Sequence, residues 1–422
     1  MNFVFLAIVL VSVAVAVVRE IAAPGGHGTD MEALGNSLAQ SAQDAVTLGI
    51  GLIGAMALFQ GLLKVAEAAG MLEALARLLR PVLHRLFPKV PPDDPAMGAM
   101  VMNVAANMLG LSNAATPFGV RAMKALDRLN PARGTATDAM VLFLAINTAN
   151  VTLLPTHVMA LRAAAGSHDP AAVIPTTLFA TIFATGAAIL VAKLGARWWP
   201  SENDPHPPAD AGPSLSRLRE RGGVRVSPAT ALTLLLFLAF IAATLIWGRA
   251  ISPWILPLLV AGVLALGAIR RVPIYEAFVK GAKEGLWISC RIIPYLVAVL
   301  AAVGMFRASG AMDALVAPLG RALAPVGLPA EAVTMAVLRT LSGSASFGYL
   351  ASLLKDPAIG PDSYTGMLVS TLYGSSETTF YVLAVYFGAA GVRRIRHALI
   401  AGLAADLVAL IAATAICGWI YR

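Results

Sequence analysis

MGAMVMNVAANMLGLSNAATPFG, residues 97–119, is apolar enough to enter a membrane but is broken near its middle by Gly110, Ser112 and Asn113. Five Lys or Arg lie before it in 64–89 and four lie after it in 121–133. Lysine and arginine crowd the cytoplasmic loops of membrane proteins, so both flanks belong on one side. The segment must enter and return, as a re-entrant hairpin with GLSNAATPFG (110–119) near its tip. The rest of the chain demands a membrane as well. Of its 422 residues 58% are hydrophobic and 13% charged, with a mean hydropathy of +0.76. A soluble domain carries roughly 25% charged residues.

Further apolar runs lie at about 3–18, 43–63, 140–158, 172–195, 229–247, 252–269, 285–306, 364–388 and 397–419, with a second interrupted run at 330–350. The run at 3–18 lacks the positive leader of a signal peptide and reads as a retained first helix. The two halves match in order. AGMLEAL (69–75) pairs with SGAMDAL (309–315), and an amphipathic stretch follows each. GLSNAATPFG then pairs with SGSASFG (342–348), NTANVT (147–152) with GSSETT (374–379), and one long apolar helix closes each half. Of the 31 Lys and Arg, 22 fall in 64–89, 121–133, 193–225, 270–283 and 393–396. Placing those five stretches in the cytoplasm puts the N-terminus inside and makes the second hairpin enter from the opposite side. The sequence therefore predicts an all-α polytopic membrane protein of inverted repeats, with two re-entrant hairpins and two interrupted helices. Residues 1–195 form the first repeat, 196–228 a Pro-rich, charged cytoplasmic linker, and 229–422 the second repeat with an extra leading helix. The amphipathic stretches at about 70–88 and 272–284 are expected along the membrane interface.

Irregular backbone at membrane depth is tolerated where it lines a wet cavity or is covered by protein, so the four breaks are expected to converge. The first hairpin brings Asn103, Asn107, Asn113 and Thr116, and the first broken helix brings Asn147, Thr148, Asn150 and Thr152. The second half brings Ser342, Ser344 and Ser346, then Ser375, Ser376, Glu377, Thr378 and Thr379. Such amides and hydroxyls can also simply join helices. Glu377 is the sharpest of them, because a carboxylate in an apolar run faces a cavity and has a partner. It suits a proton, a sodium ion or an amine, and Arg339 is the obvious ion-pair partner. Asp406 in AGLAADLVAL is a second ion-coupling candidate, with nothing polar beside it along the helix. Asn150 occupies the position of Glu377 in the other repeat.

Enzymatic and nucleic-acid readings find no support. Walker A, HExxH and GxSxG sequences are lacking, no His lies within the central breaks, and SGSAS has no nearby base. Cys290 and Cys417 have no Cys or His at metal-ligand spacing. No catalytic residue, metal or cofactor is expected. The net charge of +8 is spread over short loops without interleaved aromatics, which argues against a nucleic-acid partner.

NMLGLSNAATPFGVRAM (107–123) resembles the signature of spore maturation protein A. The run from SGSASFG through GPDSYTGMLVSTLYGSSETTFYVLAVYFGAAGVRR, ending at 394, resembles spore maturation protein B. The chain looks like a fusion of the two, which belong to the nucleoside-recognition, or gate-domain, families. Parts of concentrative nucleoside transporters and of a ferrous iron transporter also belong there. The resemblance implies movement of a small polar solute across a bacterial inner membrane. In the nucleoside transporters two hairpins and two unwound helices form the site within a moving domain. A secondary transporter or exporter is the leading reading, with lipid, a proton or sodium as further partners and a homodimer as the default assembly. A non-transporting membrane gate or scaffold is the alternative.

Overall fold

The computed structural model describes residues 2–22, 29–199, 253–312 and 327–422, with isolated positions at 239, 314, 318 and 323. Most of the 196–228 segment and all but one residue of the run at 229–247 lie outside these residues. Among the described residues every regular element is helical. The leading elements are α1 (Asn2–Ala22), α2 (Thr29–Ala68) and the amphipathic α3 (Met71–Leu86). The first hairpin is α4 (Pro95–Met108) and α5 (Ser112–Arg128). The first broken helix is α6 (Asp138–Thr148) and α7 (Thr156–Ala164), and α8 (Val173–Trp198) closes the repeat. The second half runs α9 (Pro253–Ile269), α10 (Ile274–Ala308), then the hairpin α11 (Ala330–Leu341) and α12 (Gly343–Lys355). Its broken helix is α13 (Tyr364–Ser375) and α14 (Thr379–Val382), which continues as a π-helical turn over Leu383–Phe387. α15 (Ala398–Tyr421) closes it. Helices α1, α2, α8, α10 and α15 are long and apolar enough to cross a membrane.

Local chemistry sets the helix starts. Asp94 caps α4, accepting from Ala96 N at 2.7 Å, with Pro95 in the first helical position. Thr137 caps α6 and Ser363 caps α13 through the amides three residues on. The last two caps each satisfy one otherwise unpaired amide at the start of a broken helix.

Two antiparallel pairs relate the halves. Along α2 and α10, Gly61 meets Phe278, Met56 meets Gly285 and Ser41 meets Gly304, so one index falls as the other rises. A Cβ at Gly285 would come within 2.5 Å of the Met56 carbonyl, and one at Gly281 would overlap that of Gln60. Small residues let membrane helices approach to backbone contact. α8 and α15 pair likewise. Tyr421 Oη donates to Ala172 O at 3.1 Å at one end, and His397 Nε2 lies 2.9 Å from Ala192 O at the other. Equivalent helices of the two halves run in opposite directions, as inverted repeats require.

Two expectations need correction. The stretch at 272–284 is no separate interfacial element. It opens the continuous 35-residue α10, because α2 covers its small and apolar face at Phe278 and Gly281. Helix α2, expected over 43–63, starts at Thr29 and runs for 40 residues, so its polar first turns extend the span.

The halves are also latched at both ends of the α8/α15 pair. Arg162, wholly buried, donates to Asp362 (2.9 Å), Ser167 Oγ (3.0 Å), Asp169 O (3.2 Å) and Pro361 O (2.5 Å). At the other end Arg396 pairs with Asp138 at 2.9 Å, while Ala136 N donates to Arg394 O and Arg393 N donates to Gly134 O. Each latch joins an Arg of one half to an acid beside the start of the other half's broken helix.

Candidate functional site

The breaks sit where the polar residues interrupt each run. α6 ends at Thr148 and α13 at Ser375, which is the same position in NTANVT and GSSETT. The hairpins turn at residues 109–111 and at Ser342. Gly110 takes a left-handed φ of 75°, and a Cβ there would come within 2.5 Å of Leu154 O, so the first tip packs directly on the first break.

Backbone freed at a break must be met by protein or by a wet cavity, and the breaks meet part of it for one another. Leu153 N donates to Met108 O at 2.9 Å, tying the first break to the end of α4. Glu377 N donates to Thr148 O at 2.9 Å, so the second break caps the end of α6. Arg339 Nε donates to Ser376 O at 2.8 Å, joining the second hairpin to the second break. Thr185 Oγ1 holds Ala149 O.

A cavity of about 500 Å³ lies at this junction. Of the residues predicted from sequence it brings together Asn107, Asn150, Thr152, Ser342, Ser344, Glu377 and Thr378, with Arg339 beside them. A second lobe of about 290 Å³ shares Asn107 and Glu377 and adds Thr116 and Asn147. Asn107 Nδ2 donates to Asn147 Oδ1 at 2.9 Å across the two elements. Asn103 is wholly buried behind this wall and donates to Ala115 O (2.8 Å) and Tyr386 Oη (3.2 Å).

Glu377 and Arg339 divide the polar work unequally. The Glu377 side chain is 47% exposed and that of Arg339 only 9%, with 3.6 Å between them. Arg339 lies over the Tyr373 ring at 4.3 Å. The arginine is thus fixed by an aromatic face, a carbonyl and a carboxylate, while the glutamate reaches into the cavity.

Several predicted residues stay out of the cavity. Ser346 donates to Ser342 O and Gly343 O, and Ser375 to Leu372 O. Both fold back on their own helices. Ser376 contributes its carbonyl. Thr148 bonds Ala145 O, and Thr379 turns away to Asp406 at 2.8 Å. Asp406 itself has polar company after all: Thr340 Oγ1 lies 3.0 Å from it. Asn113 lies on α5 with its side chain outside the described residues.

Other lining residues carried no clear sequence signal. His157, outside the breaks and in the first turn of α7, lines the cavity with Tyr373 and Tyr381. Tyr386 stands in the π-helical turn, against Asn103 and Asn147. Among the described residues no group of His, Cys, Asp or Glu could hold a metal ion. The chemistry available is recognition by amides, hydroxyls, aromatic faces and one ion pair.

Comparison with known proteins places this architecture. The family described as Gate, nucleoside recognition, matches residues 50–197 and 290–393. Spore maturation protein B of Bacillus subtilis (strain 168) is 46% identical over 157 residues, which is 37% of this chain and 87% of that protein. Spore maturation protein A of the same organism is 39% identical over 165 residues, 39% of this chain and 84% of that protein. Solved structures of CNTnw align at lower similarity. The inward-facing substrate-bound state gives a TM-score of 0.45 at 16% identity, covering 98% of this chain and 90% of the other. An outward-facing state gives 0.44 at 15%, with the same coverage.

Proposed function

This chain belongs to the Gate, or nucleoside recognition, family and unites regions homologous to spore maturation proteins A and B; from that premise we propose that it is a secondary transporter or exporter of a small polar solute. The solute binds in the cavity shared by both repeats, and access alternates between the two sides of a bacterial inner membrane. One observation carries the reading: all four breaks contribute polar residues to the same cavity of about 500 Å³, a volume within the range of small-molecule sites. A non-transporting gate has no need of such a cavity.

Roles follow from exposure. Glu377, the half-exposed acid, meets a cationic or hydrogen-bonding group of the solute or the coupling ion. Asn107, Asn147 and Asn150 offer amides around it, and Tyr373 and Tyr381 offer flat apolar faces. Arg339 holds the second break in place through Ser376. The five long apolar helices make lipid an obligatory partner, and the assembly we propose is a dimer.

Thermal unfolding of purified protein across nucleosides, amino acids, short peptides and dicarboxylates tests this, with and without sodium. Native-state binding at a hundredfold excess over Kd adds about 2.7 kcal/mol. A selective shift that vanishes in Glu377→Gln and Asn150→Ala is expected. A flat response in folded protein, with no uptake or efflux in vesicles, would refute transport.

A further inference from the structure

Behind the cavity wall lies a carboxylate that the proposed site does not use. Asp406 stands in the middle of α15, flanked by Leu403 and Leu407 on the exposed face of that helix. Its Oδ2 accepts from Thr379 Oγ1 at 2.8 Å and lies 3.0 Å from Thr340 Oγ1. The single proton of Thr340 also reaches Ala336 O at 3.1 Å, so that hydroxyl can accept from a protonated carboxyl. Thr340 is the penultimate residue of α11, and Thr379 is the first of α14. One carboxylate oxygen therefore ties the stem of the second hairpin and the far side of the second break to the closing helix. Oδ1 is enclosed and has no hydrogen-bond partner.

The charges nearby do not balance. Arg339, adjacent to Thr340, is the cation facing Asp406. Its Nη2 lies 3.6 Å from Glu377, and its Nε is taken by Ser376 O. α6 and α8 carry their ionisable side chains only toward their ends, at Asp138, Lys193 and Arg197, while α13 and α14 carry only Tyr364, Tyr373 and Tyr381. Among the described residues two carboxylates thus share one guanidinium. Glu377, half exposed to the cavity, is the one solvation favours as an anion. An anionic Asp406 would leave an uncompensated charge in an apolar span, with one oxygen bare of donors.

We propose that Asp406 is a proton-binding site, occupied while Arg339 is held by Glu377, and that its release of the proton draws Arg339 away from the second break. Ionised Asp406 competes for the guanidinium. Arg339 then lets go of Ser376 O and Glu377, and the contact between hairpin α11–α12 and the break loosens. The link to solute movement rests on the transporter reading; the proton itself does not.

Infrared spectra of the purified full-length protein test the site directly. Wild type at neutral pH should show a protonated-carboxyl stretch that disappears in alkali. Asp406→Asn should lack it, and Asp406→Glu should keep it at a shifted frequency. Glu377→Gln frees Arg339 for Asp406, so the same band should weaken at neutral pH. Should Asp406→Asn fail to fold, the shift in Asp406→Glu decides the assignment. Absence of any band that follows residue 406 overturns the proposal. The band alongside a flat solute panel and no uptake or efflux in vesicles would sink the transporter reading alone, while solute binding without the band would sink this one alone.

Discussion

The latch between Arg162 and Asp362 joins a wholly buried cation to an acid whose side chain is 36% exposed, and this asymmetry dictates which partner is costly to lose. Arg162→Met removes the buried charge and keeps most of the side-chain volume. The residues left behind, Asp362, Ser167, Asp169 and Pro361, are all exposed at least in part. Asp362 also keeps Ser167 Oγ at 2.6 Å and His168 N at 2.9 Å. The expected cost is about 1–2 kcal/mol, the scale of ordinary hydrogen bonds exchanged for water. Asp362→Ala instead leaves a guanidinium enclosed among neutral acceptors, with only Asp169 nearby to compensate. Breaking a buried pair in this sense costs about 3–5 kcal/mol, and the residual field of Asp169 puts the expectation at the lower end. The double variant should then lose well under the sum of the two, falling below Arg162→Met only by the exposed bonds from Ser167 Oγ and His168 N, because the acid has no buried charge left to neutralise. Apparent Tm values of the four proteins in one detergent form the cycle. The reasoning fails if Arg162→Met is the more damaging single change, or if the two losses simply add.

Two further outcomes follow from packing and titration. Gly281→Ala should lower Tm, by about 1–3 kcal/mol of overpacking, since its Cβ would overlap the Gln60 carbonyl. Gly54→Ala, on α2 with nothing within 4 Å, should not, and an equal effect would refute the close-approach account. His397, just before α15, has its pKa held below the usual 6.5 by burial, against the opposing hydrogen bond to Ala192 O. The neutral ring is thus the form the fold prefers. Its contribution is intact above about pH 6.5 and is lost as pH falls through the lower folded value. His397→Gln should flatten the decline in Tm between about pH 7 and pH 5, and an unchanged decline would refute the assignment.

The breaks were legible because polar residues and glycine stand out in apolar runs, and the repeat made their register legible too. NTANVT and GSSETT end their helices at the same offset, Thr148 and Ser375. Side-chain direction was not legible. A serine inside a helix can always turn back to a carbonyl three or four residues earlier, as Ser346 and Ser375 do. The partners of Asp406 are 66 and 27 residues away in sequence, so AGLAADLVAL read as bare. Arg162 gives no signal in the sequence, because its acid lies 200 residues on, in the other half. His157 and the tyrosines give no sequence signal, because ring side chains merge with the apolar background that defines a span.

The two halves share the site unequally, and that inequality yields the last test. Asn150 and Glu377 occupy matching positions, and both line the cavity, yet among the described residues only the second half supplies a carboxylate and a guanidinium there, Glu377 and Arg339. A second carboxylate at position 150 would have put another anion beside the same single guanidinium. The first half supplies amides and the carbonyl of Thr148, which accepts from Glu377 N. Neither half can therefore complete its own break. The helix pairs α2/α10 and α8/α15 and both Arg–Asp latches also cross between halves, so each half alone would expose the faces that bury the other. Covalent linkage fixes a one-to-one ratio and raises the effective concentration of each half for the other to roughly millimolar. Opening the chain within residues 200–228 should accordingly be tolerated. Residues 1–199 and 229–422, expressed together with a tag on one, should copurify and keep the thermal response of the intact chain. Either half alone should aggregate or unfold at low temperature. A second half that stood alone as a folded, solute-responsive protein would show that its site is self-sufficient, and the shared cavity would lose its claim to function.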